Sequence, residues 1–213
     1  MKNFTTASES NTSKIPEFTS RQTEVLNHSL ALIQEQGLAG LTMRKIAERM
    51  GFSEPAIYRH FKTKQDLVLG IISRLEANLI EPMRAIAANE KQSVTNRIAA
   101  VVTHHLDLIA ENNALPILLF AEAAASADER LTFAMRGVFA AYENLLIKLL
   151  REGLDRGEID PNLNPADGAM LLMGAPTACA LRMRLFNETS KKARRQRLVR
   201  YIKSGILKPV EVS

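Results

Sequence analysis

Cysteine is nearly absent from this chain of 213 residues: Cys179 stands alone. One thiol excludes an intramolecular disulfide and suits a reducing compartment, so a cytoplasmic location is expected. No apolar run reads as long enough to span a bilayer, the best stretch being broken by Asp167, Gly174 and Pro176, and no membrane partner is expected. The opening MKNFTTASESNTSKIPEFTS has neither an apolar signal core nor an Arg-rich amphipathic face; residues 1–18 read as a flexible arm. Alternating strand patterns, Gly-rich phosphate loops and internal repeats are missing too. So are the groupings that catalysis needs: no Ser/His/Asp, Cys/His or metal-water set emerges, and no activating base stands beside Cys179. His104, Asp107 and Glu111 share one polar helix face at metal-ligand spacing, but solvated helices produce such spacings by chance. The expectation is a non-enzyme without metal or cofactor.

What the chain does have is helical periodicity and unevenly placed charge. From Leu41 to Lys64, Arg44, Lys45, Arg49, Arg59, Lys62 and Lys64 face only Glu48 and Glu54, a net +4. From Arg182 to Lys208 ten cations face Glu188 alone, a net +9. Between them acids such as Asp107, Glu111, Glu122, Asp128 and Glu129 outnumber bases. The overall +5 therefore reports two basic patches and not a uniform coat.

The first patch has the layout of a DNA-reading helix-turn-helix. Thr42 can cap a helix with Met43, Ile46, Ala47 and Met50 on its inner face, and Gly51 suits a left-handed stop. Ser53 can cap a second helix in which Ile57 and Phe61 face inward, leaving Ala56, Tyr58, Arg59 and His60 to point elsewhere. So short a helix is stable only when docked on neighbours, and the natural use of its free face is insertion into a major groove. Upstream, Thr19 with Gln22 forms a capping box before a bracing helix that stops near Gly37.

Thr42, Ile46, Ala47, Gly51, Ser53, Ile57, Tyr58, His60, Phe61, Lys64 and Leu67 stand at the spacing of the TetR family of bacterial repressors, which residues 19–75 resemble. Met50 and Phe52 replace smaller residues usual in that family; both are expected to point inward. The resemblance implies that Tyr58, His60 and Lys64 grip phosphate, as Thr42 can at its helix start. Arg44, Ala56 and Arg59 are candidates for base edges, arginine for guanine and alanine for a thymine methyl, with Arg59 equally suited to phosphate. Glu54, in the first turn beside Ser53 and Pro55, is favoured by the helix dipole and can accept from cytosine N4.

The all-α division expected is an arm over 1–18, a DNA-binding head over 19–64 and a regulatory and dimerisation body over 65–208. In the body, Thr63 with Asp66 opens a helix that Pro82 should bend or end. Ser93 opens another, ended by Asn112 and Asn113. Ser126 with Glu129 predicts a long helix closing near Gly153, and Asn164, Pro165 and Asp167 open the next. A last helix is expected from Thr189 to Ile206. His105 and Asn112 lie on an apolar stripe, a costly placement unless something satisfies them; a neighbouring carbonyl would do. In the resembled family the body encloses a small-molecule pocket, which implies ligand contacts for His105 and Asn112, with Met83, Phe120, Phe133, Met135, Tyr142, Met170 and Met173 as lining. The last two helices resemble that family's dimer interface, with Ala175, Ala178, Leu181, Leu198 and Ile202 at the contact.

The expected function is thus a homodimeric repressor that binds a palindromic double-stranded operator and is released by a small apolar or amphipathic effector. The alternative is a DNA-binding dimer whose body docks another protein, as nucleoid-occlusion members of the resembled family would allow.

Overall fold

The computed structural model describes residues 17–112, 114–125, 127–188 and 192–207. Most of the predicted arm, with Asn113, Ser126, Thr189 and Lys208, lies outside them. Every regular element among the described residues is helical.

The head forms through local hydrogen bonds. Helix α1 (Ser20–Gln36) carries both halves of its capping box: Thr19 Oγ1 accepts from the Gln22 amide at 3.2 Å and Gln22 Oε1 from the Thr19 amide at 3.0 Å. A 3-10 turn (Leu38–Gly40) leads to α2 (Met43–Met50), where Thr42 Oγ1 accepts from the Lys45 amide at 3.2 Å. Gly51 closes α2 at φ 69°, a left-handed geometry that favours glycine, and the Phe52 amide returns to the Ala47 carbonyl at 2.9 Å. Helix α3 (Glu54–Tyr58) is a bare turn and a half. Ile57 is fully buried and Phe61, just beyond the helix, nearly so; these two anchors hold it on α1, α2 and the next helix. Phe52 departs from the expected inward position: it is 37% exposed, with the Arg21 guanidinium 4.9 Å above its ring. The left-handed turn at Gly51 takes the chain off the α2 register, so the helical period no longer applies there.

Helix α4 (Lys64–Ala87) joins head to body, with Leu67 in the core under the head and Ile80 and Met83 in that of the body. Pro82 does not end it. The carbonyl that Pro82 cannot engage, that of Asn78, accepts instead from His104 Nε2 at 2.9 Å. His104 sits on α5 (Val94–Glu111), so a would-be break becomes a tie between two helices. Helices α6 (Leu115–Ala125), α7 (Glu129–Asp155) and α8 (Pro165–Leu185) complete the bundle: α7 packs on α4, α5 and α8, and α5 lies against α4 and α8.

The cap of α7 is Asp128, whose carboxylate accepts from the Arg130 amide at 3.0 Å. Gly153 does not close α7; the helix runs to Asp155, and the chain turns at Gly157 with φ 67°. Gly153 is instead a close-approach site, since a Cβ there would fall 2.3 Å from Ile159 Cδ1. Helix α8 starts as expected, Asn164 Oδ1 accepting from the Ala166 and Asp167 amides. By length and composition residues 165–186 could cross a bilayer, contrary to the sequence expectation, but Ala169, Leu172, Met173 and Ala180 are packed within the protein. Of the last helix, expected from Thr189 to Ile206, the described part is α9 (Lys192–Tyr201), which passes into a π turn (Ile202–Ile206) and docks on α5 through Arg195–Asp107 at 2.8 Å and Lys203–Asn96 at 2.7 Å.

At the far end from the head, Arg97 is 2% exposed. Its guanidinium donates to the Ala87 carbonyl at 2.7 Å, capping α4, and pairs with Glu152 on α7, which Arg156 also contacts at 2.7 Å. The pairing holds the Glu152 carboxyl below its ordinary range. Glu158 accepts from the Val94 amide at 2.6 Å and completes the α5 start.

Candidate functional site

The exposed side of α2 and α3 gathers the predicted DNA contacts. Thr42, Arg44, Ser53, Pro55 and Arg59 are exposed, Tyr58 is 43% exposed, and Glu54, Ala56, His60 and Lys64 are half-buried. Ser53 stands at the N-cap of α3, yet its hydroxyl makes no capping bond. Arg44 is engaged: Nε pairs with Glu48 Oε1 at 2.8 Å, and Glu54 adds to the attraction that raises its pKa. Lys45 binds Gln36 at 2.7 Å, and Arg49 makes two 2.7 Å bonds to Glu35, bracing α2 on α1. No ion pair holds Arg59, Lys62 or Lys64 among the described residues. The head thus sorts its cations: the α2 set stiffens the unit, and those at and after α3 stay available for an external anion.

Two links that the sequence reading missed tie head to body. Helix α6 packs on the 3-10 turn of the head. Arg130, at the start of α7, reaches Asp66 in the first turn of α4 at 3.0 Å and Asp128 at 2.6 Å. Neither has a local sequence signal, since both join residues about a third of the chain apart.

The body holds a second unusual place. His105 on α5 and Tyr142 on α7 meet edge to face with ring centroids 5.1 Å apart. His105 as a whole is half-buried, but its Nδ1 and Tyr142 Oη are both buried and, like Arg97 Nε, have no hydrogen-bond partner among the described residues. Burial, with a smaller effect of His104, pushes the imidazole down to about 4, and burial raises the phenol. Met83 and Met173 are in the core, and Met135 is in the α7 stripe that also carries Tyr142. Phe120 stacks edge to face on Phe139 at 6.3 Å, beside an apolar pocket of about 370 Å³ between α6 and α7 that Met135 also lines. Phe133 and Met170, at 78% and 67% exposed, stand on the outer surface away from the pair. Asn112 caps α5 and donates to the Leu108 carbonyl at 2.9 Å, so its amide is satisfied within its own helix.

Of the predicted dimer residues, Ala178 and Leu181 face outward from α8, Ala175 and Leu198 are half-buried, and Ile202 is buried within the chain. Met170, Leu171, Leu181 and Leu185 extend the exposed α8 stripe.

A helix-turn-helix of this geometry on a helical body is matched by two family models: bacterial regulatory proteins of the tetR family over residues 25–71, and the YsiA-like protein C-terminal region over residues 59–176. The chain belongs to the TetR family. It is a DNA-binding transcriptional regulator of that family, similar to the nucleoid occlusion factor SlmA of Marinomonas sp. (strain MWYL1), at 31% identity over 70% of this chain and 73% of the relative. It is also similar to the fatty acid metabolism regulator protein of Bacillus subtilis (strain 168), at 26% identity over 71% and 77%. The fold is that of FadR from Bacillus halodurans, with TM-score 0.76 at 19% identity over 89% and 98% of the two chains. FadR from Bacillus subtilis, solved with stearoyl-CoA, gives 0.72 at 22% over 86% and 98%.

Proposed function

We propose that this TetR-family chain is a homodimeric repressor released from a near-palindromic operator by a small apolar or amphipathic molecule that enters the body at His105 and Tyr142. The carrying observation is the pair of buried polar atoms without partners in an otherwise apolar core, a costly arrangement that a ligand group would relieve. On this reading Tyr58, His60, Lys64, Thr42 and the uncommitted Ser53 hydroxyl hold phosphate, while Arg44, Ala56 and Arg59 read bases, with Glu54 placed for cytosine. Effector binding would draw α6 and α7 away from their contacts with the head and shift the dimer to a spacing that no longer fits two successive major grooves.

Selecting bound duplexes from a random library tests the DNA half: a dyad-symmetric site with half-sites roughly 34–36 Å apart is expected. A single half-site or no enrichment would reject it. The dimer half rests on the exposed α8 stripe. Ala178→Arg places an uncompensated cation at its centre, and sedimentation should show monomers that bind the selected operator poorly. The second reading, a body that docks another protein, is favoured by the exposure of Phe139 at an open apolar pocket and of Phe133 elsewhere on α7. Release of operator by a small molecule alone separates the two.

A further inference from the structure

We infer that the His105–Tyr142 site selects an uncharged oxygen group, a carbonyl or a hydroxyl carried on an apolar chain, and rejects the corresponding free carboxylate. This rests on the effector reading above and names the chemistry of its ligand.

The first ground is the hydrogen-bonding capacity of the pair. Tyr142 Oη lies in a 2% exposed residue and carries a proton to donate. His105 Nδ1 in neutral imidazole is either an N–H donor or a lone-pair acceptor. A carbonyl oxygen takes both as donors; a hydroxyl accepts from tyrosine and donates to histidine. Either satisfies two orphan atoms with one ligand atom.

The second ground is what surrounds them. On α5, Ile98, Val102 and Ile109 flank His105 at helical spacing, each at most 1% exposed. On α7, Met135, Val138 and Leu146 flank Tyr142, each at most 3% exposed. His104 is turned away to the Asn78 carbonyl, and Arg97 is bound to Ala87 and Glu152. Among the described residues no charged group acts on Tyr142, and His104 is the one titratable neighbour that acts on His105. A carboxylate brought here would lose its hydration with no cation to replace it.

The third ground is a route. Met135 lines the apolar pocket between α6 and α7 and shares a face of α7 with Tyr142 two turns on, roughly 10 Å away. The Phe120–Phe139 contact stands at the same pocket, and Arg136, the cation that lines it, is exposed to solvent. The pair lies behind Met135, which is 3% exposed, so a chain lying in the pocket reaches it with its oxygen end once that flexible side chain moves aside, while an acid is held at the mouth.

The test compares 2-decanone, 1-decanol and decanoate, matched in length, by calorimetric titration of the full chain near neutral pH, on the native protein and on Tyr142→Phe. The ketone and the alcohol should bind at least about tenfold tighter than decanoate, and Tyr142→Phe should remove most of that preference. The variant's melting temperature serves as the folding control. Tighter binding of decanoate overturns the assigned chemistry and leaves the effector reading standing, as does an unchanged ketone affinity in a folded Tyr142→Phe. Failure of all three probes to bind, with Tyr142→Phe clearly less stable than the native protein, assigns the pair to an internal water and overturns both.

Discussion

Head and body treat their polar side chains in opposite ways. In the head most polar groups point outward, the buried Ser29 bonding to the Val25 carbonyl of its own helix, and the caps that start its helices are short in sequence: Thr19 to Gln22, Thr42 to Lys45, Thr63 to Asp66. In the body the decisive polar groups point inward. Arg97 is tied to Glu152 across 55 positions, and His105 Nδ1 and Tyr142 Oη have no hydrogen-bond partner among the described residues. The head is therefore a finished surface that waits for a polyanion, whereas the body contains an interior that its own residues do not complete. A regulator needs both: a reading unit stiff enough to hold a spacing, and a core whose lowest state depends on what occupies it.

The largest test of this contrast removes the one inward polar group that is paired. Arg97→Ala leaves the Ala87 carbonyl without its donor, takes one of two arginines from Glu152 and empties a site where a 2% exposed side chain stood, which together typically costs about 3–5 kcal/mol. For a chain of this size that corresponds to a fall in melting temperature of roughly 10 °C. The head bonds are separate from this site, so well below the melting temperature the variant should still bind DNA. A change of only a degree or two would mean that the pairing contributes little and that the body tolerates loose polar groups in general.

The second test concerns an unpaired group and uses pH. His105 has its folded pKa lowered from 6.5 to about 4, so the unfolded chain takes up a proton more readily than the folded one. The stabilising preference for neutral histidine is fully present above pH 6.5 and is lost as the pH falls from there toward 4. The full difference is on the order of 3 kcal/mol. Depressed carboxylates such as Glu152 lose stability only below their ordinary value of 4.5, so the window from 6.5 to 4.5 belongs largely to His105. Denaturant midpoints measured across that window should fall for the native chain and stay flatter for His105→Leu. Equal slopes would show that the imidazole is hydrated, which would count against a dry site.

The same contrast explains what was legible in the residues. Caps at Thr19, Thr42, Thr63, Ser93 and Asn164 are local events, written within three or four positions, and each was readable. That α4 runs on past Pro82 was not readable, because it depends on His104, twenty-two positions on, arriving to take the stranded carbonyl. Gly153 was misread because Ile159 presses against it, a contact made only after the chain turns at Gly157. At the site, His105 was conspicuous as a polar residue on an apolar stripe, but its meeting with Tyr142 joins two helices and has no signature in either. Phe133 and Met170 look like core by type and stand outside by placement. The links from α6 and Arg130 to the head were invisible for the same reason, each joining segments about a third of the chain apart.

The smallest expected effect sharpens the comparison inside the head itself. Lys64 has no ion pair among the described residues, whereas Arg44 is held by Glu48 in an exposed, solvent-screened pair, weak enough to exchange for a guanine edge. Lys64→Ala should weaken specific and random duplexes by the same factor and reduce the slope of log affinity against log salt by about one contact. Arg44→Ala should leave random binding nearly unchanged while narrowing the gap between specific and random DNA by about 1–3 kcal/mol. Its pairing with Glu48 makes a further distinction available: Glu48→Gln releases the guanidinium without removing it, and should strengthen random binding if Arg44 then settles on phosphate. Titrations of the three variants against salt on both duplexes give the answer. An unchanged slope for Lys64→Ala would remove it from the phosphate set, and a uniform loss for Arg44→Ala would move that residue from base reading to backbone grip.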